Sequence, residues 1–116
     1  MSSFKEKFIA AGNDYAALSE RTFEDETLIA ELMKMLLADD SFSKMRDCMD
    51  KGETENAFRA AHSLKGSCGM LGFTALFESM KLITDFLRYG ELDSAEKVYP
   101  QVLSEYEKAM ELISEL

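Results

Sequence analysis

The sequence holds one histidine, His62, in the stretch Ala57-Phe58-Arg59-Ala60-Ala61-His62-Ser63-Leu64-Lys65-Gly66-Ser67-Cys68-Gly69-Met70-Leu71-Gly72-Phe73. A neutral imidazole, with its reference pKa near ~6.5, is a nucleophile suited to carrying a phosphoryl group. A single histidine is a poor basis for a metal site, which gathers several ligands. The stretch reads as an amphipathic helix, with Ala57, Ala61, Leu64, Cys68 and Leu71 recurring at spacings of four and three as one buried stripe. At about 100° per residue His62 lies roughly 140° from the centre of that stripe, with Lys65 beside it, Gly66 one turn ahead and Gly69 two turns ahead. Each interior glycine costs a helix about 1 kcal/mol relative to alanine. A partner whose backbone must come close to the imidazole would repay that cost, since glycine permits close approach.

In-line phosphoryl transfer depends on positioning and on cations that neutralise the equatorial oxygens, and Lys65 is placed to supply one such charge. A solvated surface lysine has the same spacing, so the spacing alone leaves both roles open. Phe58, one turn before His62, serves either a docking partner or the edge of the core. Arg59 and Ser63 are candidates for the rim of a docking surface, although charged and hydroxyl residues on a solvated face need no such reason. No carboxylate cluster surrounds His62 in sequence, so any magnesium has to come from a partner. Cys48 and Cys68 lack a metal-ligand spacing and read as reduced core or near-core thiols. Arg88 reads as a solvated residue late in its helix, where a cation complements the helix dipole. The eight methionines suit adaptable contacts but mostly fill the core.

These residues need a scaffold, and the rest of the chain spells out helices. Phe4, Phe8 and Ile9 predict a short helix ending near Gly12, and Asn13 or Asp14 offers the cap of a second one with Tyr15, Ala16 and Leu18. Thr22 to Asp25 resembles the N-terminal cap of a stronger helix carrying Leu28, Ile29, Leu32, Met33 and Leu36. Phe42, Met45 and Met49 continue the helical spacing out of phase, which predicts a bend or an interruption at Asp39 to Ser41. Gly52 ends that element. The histidine helix is expected from about Thr54 to Leu71, with Gly72 terminating it and Thr74 capping the next. So short a connection implies an antiparallel pair. Leu76, Met80, Ile83 and Leu87 form the next stripe, closed by Gly90. Asp93 and Glu96 predict a capping box before the longest stripe, Ala95, Tyr99, Val102, Tyr106, Ala109 and Ile113. Pro100 predicts a kink near Glu96 to Tyr99 or a helix that begins at Tyr99.

No run of β-branched residues alternates strictly, so the expected class is all-α. The expected architecture is an up-down-up-down antiparallel four-helix bundle over about residues 25–114, with short N-terminal helices over about 3–20 packed on one end. The 116 residues make one domain, too short to add a nucleotide-binding kinase domain, so the chain should not phosphorylate itself. With 22 acidic against 13 basic residues the formal charge is −9, which opposes nucleic acid and anionic lipid and leaves another protein as the expected partner. No basic segment precedes an apolar core and no apolar run approaches the ~20 residues that cross a bilayer, so a cytoplasmic location is expected.

His62, Lys65, Gly66 and Gly72 fit the H-x-x-K-G pattern with a downstream glycine that marks histidine-containing phosphotransfer (HPt) domains. The run Ala57 to Gly66 is similar to that family too, and the resemblance extends from the Phe4 to Tyr15 segment through Leu87 to Leu92 and into the last helix. The chain most resembles free-standing bacterial HPt proteins. Cys68 replaces a small residue such as alanine, and Thr84 stands where many relatives carry an acidic residue, departures that bear on partner preference. The resemblance implies a phosphocarrier in a two-component phosphorelay. His62 would accept a phosphoryl group from a receiver-domain aspartate and pass it to another receiver, Lys65 would orient that group, and Phe58, Arg59, Ser63, Gly66 and Gly69 would meet the partner. No intrinsic cofactor is expected, magnesium arriving with the receiver. Partners are response-regulator receivers, with a hybrid histidine kinase a further candidate, and a monomer is expected. Two alternatives remain: a module that docks receivers without accepting phosphate, and a detached phosphoacceptor domain served by a separate chemotaxis-type kinase.

Overall fold

The computed structural model describes residues 2–116, the side chain of Ser2 excepted, and everything structural that follows concerns those residues. They form seven helices and no strand: α1 (Ser2–Ala10), α2 (Tyr15–Thr22), α3 (Glu26–Ala38), α4 (Ser41–Asp50), α5 (Thr54–Met70), α6 (Thr74–Arg88) and α7 (Leu92–Ser114). The stripes read from the sequence face inward. Ala57, Ala61, Leu64, Cys68 and Leu71 are buried, as are Leu76, Met80, Ile83 and Leu87 of α6 and Ala95, Val102, Ala109 and Ile113 of α7. Tyr99 and Tyr106 keep partial exposure, and Ile9 points outward while Phe4 and Phe8 are buried.

The chain breaks between α3 and α4 because the two stripes would oppose each other in a single helix. Ile29, Met33 and Leu36 and then Phe42, Met45 and Met49 are all buried, yet in an unbroken helix the two sets would point about 180° apart. Asp39 and Asp40 absorb the rotation, with the Asp39 carboxylate accepting the Ser41 amide at 2.7 Å. At the start of α3, Asp25 accepts the amides of Thr27 and Leu28. Asp14 does the same for α2 through the Ala17 amide.

Two expected caps are not there. Thr74 is the first residue of α6 rather than its cap, because Gly72 turns left-handed at φ +79° and the Phe73 amide donates back to the Cys68 carbonyl at 3.1 Å. That turn delivers the chain into α6 one residue early, with Phe73 at the cap position. Asp93 and Glu96 make no capping box either, since α7 starts at Leu92 with Glu91 at its cap and no side-chain cap bond. Arg46 of α4 has taken Glu96 in an ion pair at 2.7 Å. Nor does α7 begin at Tyr99: it runs through Pro100 without a break. Proline removes the amide that the Glu96 carbonyl would accept. The segment is held from outside, with Phe42 stacked on Tyr106 at 4.0 Å between centroids and the Arg46 guanidinium 4.5 Å above the Tyr99 ring.

Helix α5 packs most extensively on α4 and α6, and α6 on α7. The short helices α1 and α2 close the end that carries the α5–α6 turn. Phe8 meets Phe73 edge-on at 5.1 Å, Lys7 pairs with Glu115 at 2.7 Å, and the Asp14 amide donates to the Gly72 carbonyl at 2.8 Å. Gly72 has to be glycine here, because a Cβ would stand 2.5 Å from the Asp14 carbonyl oxygen.

Candidate functional site

The core stripe of α5 decides what its outer ridge presents. With Ala61 and Leu64 buried, the intervening His62 and Ser63 are exposed, as is Gly66 one turn on. Lys65 is half-buried on the His62 side of the ridge. A Cβ built on Gly66 meets nothing within 4 Å, so no packing inside the molecule requires glycine at that place. Its bare backbone lies open to the outside, next to the imidazole.

Gly69 is different. A Cβ there would stand 3.0 Å from two carbons of the Phe77 ring of α6, so its glycine lets α6 pack closely and has a reason internal to the fold. Phe58, half-buried, lies against the imidazole with ring centroids 5.7 Å apart and an interplanar angle of 31°. Arg59 is exposed and pairs with Glu55 at 2.9 Å within α5.

Arg88 departs from the expectation of a merely solvated residue. Although exposed, its guanidinium carbon stands 5.1 Å from the centroid of Phe58, linking the end of α6 to the ring beside His62. The α5–α6 hairpin contained the signal: Gly69 faces Phe77 and Phe58 faces Arg88, the same antiparallel register counted outward from Phe73. Arg21 was equally hidden, with no motif to mark it. From α2 its guanidinium donates at 2.8 Å to the carbonyls of Gly69 and Met70, satisfying the open C-terminal end of α5. Met70 is 65% exposed and Met35 of α3 67%, and both line one shallow groove together with Ser67 and Leu71 of α5 and its C-terminal turn.

A second nucleophile on α5 is disabled by burial, which pushes the Cys68 thiol up to about 12, helped by the negative charge of Asp39. The other cysteine, Cys48, is half-buried, and both are free thiols. Among the described residues no group of three or more histidine, cysteine and acidic side chains is placed to hold a metal ion. Nor is any described helix long and apolar enough to cross a membrane.

An exposed imidazole on a helix ridge, beside a cation and a bare backbone patch, suits group transfer to or from a second macromolecule better than chemistry on an enclosed small molecule. The family model of the Hpt domain matches residues 17–115. The chain belongs to the Hpt domain family. The match takes in α3 to α7 and most of α2, and leaves α1 outside. No curated protein and no solved structure shows a significant match to the chain. As an Hpt domain it is a phosphotransfer module of two-component signalling, and modules of this family are phosphocarriers that work with receiver domains and kinases.

Proposed function

We propose that this Hpt domain is a relay intermediate, accepting a phosphoryl group on His62 from the aspartyl phosphate of one receiver and delivering it to the aspartate of another. The observation that carries the reading is the exposed sole histidine one turn from Gly66, a glycine with open space where its side chain would be. A receiver must bring its phosphorylated pocket within bonding distance of the imidazole, and any side chain at residue 66 would stand in its path. The chemistry needs no base from this chain. One ring nitrogen attacks phosphorus with its lone pair while the other keeps its proton, and the phosphorus–oxygen bond breaks with its electrons going to the aspartate carboxylate. Lys65 offsets charge on the phosphoryl oxygens. Magnesium belongs to the receiver's acidic pocket, and the exposed Met35 and Met70 offer apolar contact about two turns along α5 from His62.

In this reading the chain is a monomeric cytoplasmic phosphocarrier that lacks kinase activity of its own. The short turns and the α4–α5–α6–α7 packing support an up-down-up-down order for the bundle. Mixing the protein with a phosphorylated receiver and magnesium should label it with an acid-labile, alkali-stable phosphoryl group, and labelled ATP alone should leave it unlabelled. Label that persists in His62→Gln would defeat the assignment of the acceptor.

A further inference from the structure

Arg88 is one of 13 basic residues in a chain with 22 acidic ones, yet among the described residues its guanidinium makes no ion pair or hydrogen bond. It stands instead over an aromatic ring, 5.1 Å from the Phe58 centroid. That ring in turn lies 5.7 Å from the imidazole of His62. The three groups connect the last residue of α6 to the nucleophile on α5. We propose that Arg88 is a positioning residue for phosphoryl transfer: by holding the Phe58 ring against the imidazole, it limits the rotamers that His62 samples.

The physical need is plain. An exposed histidine on a helix ridge turns about χ1 and χ2 on a picosecond-to-nanosecond scale, and only orientations that aim a ring nitrogen at phosphorus are productive. Gly66 enlarges the problem, since the bare turn that admits the receiver also removes the neighbour one turn ahead that would restrain the imidazole. The restraint therefore has to come from the other direction, and Phe58, one turn behind, is the contact present. A phenylalanine at the half-buried margin of α5 would itself be free to tilt. A planar cation over its ring, anchored in a different helix, opposes that tilt. Arg88 need not touch the phosphoryl group for this. The transfer keeps the balance given above, and only the fraction of imidazoles correctly aimed changes.

The inference rests on the phosphocarrier reading, and the experiment separates the two. Wild type, Arg88→Gln, Arg88→Lys and Phe58→Leu are compared in single-turnover transfer from a phosphorylated receiver over a range of receiver concentrations. The shifts of the His62 ring protons are recorded for each unphosphorylated protein. Arg88→Gln should lower the saturating rate about three- to tenfold with the half-saturating concentration within about twofold of wild type. The His62 ring protons should move toward the positions of an unrestrained histidine as the neighbouring ring current is lost. Phe58→Leu should reproduce both effects, and Arg88→Lys, which keeps a cation but not a planar one, should fall between. A saturating rate and ring-proton shifts unchanged in Arg88→Gln would overturn the proposal. So would a change confined to the half-saturating concentration, which would make Arg88 a docking residue. A wild-type protein that no receiver labels would defeat the phosphocarrier reading, while the ring-proton shifts would still judge the Arg88–Phe58–His62 linkage by themselves.

Discussion

Two glycines on one helix have different reasons for being glycine, and substitution separates them. At Gly66 an added Cβ meets open space, so Gly66→Ala should gain about 0.5–1 kcal/mol from helix propensity and raise the thermal midpoint. At Gly69 the same methyl must displace the Phe77 ring, so Gly69→Ala should gain less or lose stability. Thermal unfolding of the pair checks the contrast. Gly66→Gln should retain the fold while obstructing a receiver, so transfer falls as stability holds. Transfer by Gly66→Gln at the wild-type rate would mean that the ridge is not the docking surface. Lys65→Ala should act on another step: receiver affinity close to wild type, with the single-turnover rate down by tenfold or more as a charge near the phosphoryl oxygens is lost. Equal losses in affinity and rate would place Lys65 in docking instead. The place of His62, Lys65 and Gly66 on the outer ridge of α5 was legible in the sequence because the period of a single helix sets it. Arg88 and Phe77 were not, because each acts across the α5–α6 hairpin and has meaning only once the antiparallel register is known.

At the scale of elements, burial patterns were the most readable feature and caps the least. Each stripe is dictated by a helical period that the sequence carries in full, and the opposition of the α3 and α4 stripes demanded a break near Asp39. A cap depends on competition for the side chain. Glu96 lies where it would complete a capping box, but Arg46 of α4 holds it in an ion pair, and Thr74 is displaced by the turn at Gly72. At Pro100 the sequence left a kinked helix and a helix beginning at Tyr99 both open, and the helix runs on because the packing of Phe42, Tyr99 and Tyr106 supplies what local propensity withholds. Gly72 joins these elements, as its left-handed conformation ends α5 and its missing side chain admits the Asp14 carbonyl. Gly72→Ala carries both penalties and should cost about 2–4 kcal/mol. Urea unfolding measures the loss, and amide exchange should report loosening first at the Asp14 N–H, which donates to the Gly72 carbonyl. A loss below 1 kcal/mol would show that the α1–α2 loop shifts away from the turn without strain.

At the scale of the whole molecule, stability depends on groups that do not share the exposed ridge of His62, and alkaline pH is the condition that exposes them. Burial pushes the Cys68 thiol up to about 12 from 9.0, and it raises Tyr99 and Tyr106 above their ordinary 10.0. For each group the folded state holds its proton more tightly than the unfolded state does. Between the unfolded and folded values the unfolded chain therefore binds fewer protons, so the stability of the fold falls as pH rises. Below about pH 9 the contribution of Cys68 is complete, and above that it declines toward about pH 12 by at most ~1.4 kcal/mol per pH unit. Cys68→Ala removes the thiol with a small change in volume, inside a buried stripe that already holds two alanines, Ala57 and Ala61. The variant should lose some stability at pH 7 through the missing sulfur contacts, yet its thermal midpoint should fall less steeply than that of wild type between pH 9 and pH 11. Parallel curves would show that the thiol gains access to water without global unfolding. In that event the fold would open locally around Cys68, near Asp39 and Tyr106, and Cys68 in the native protein would react with a thiol reagent far faster than unfolding allows.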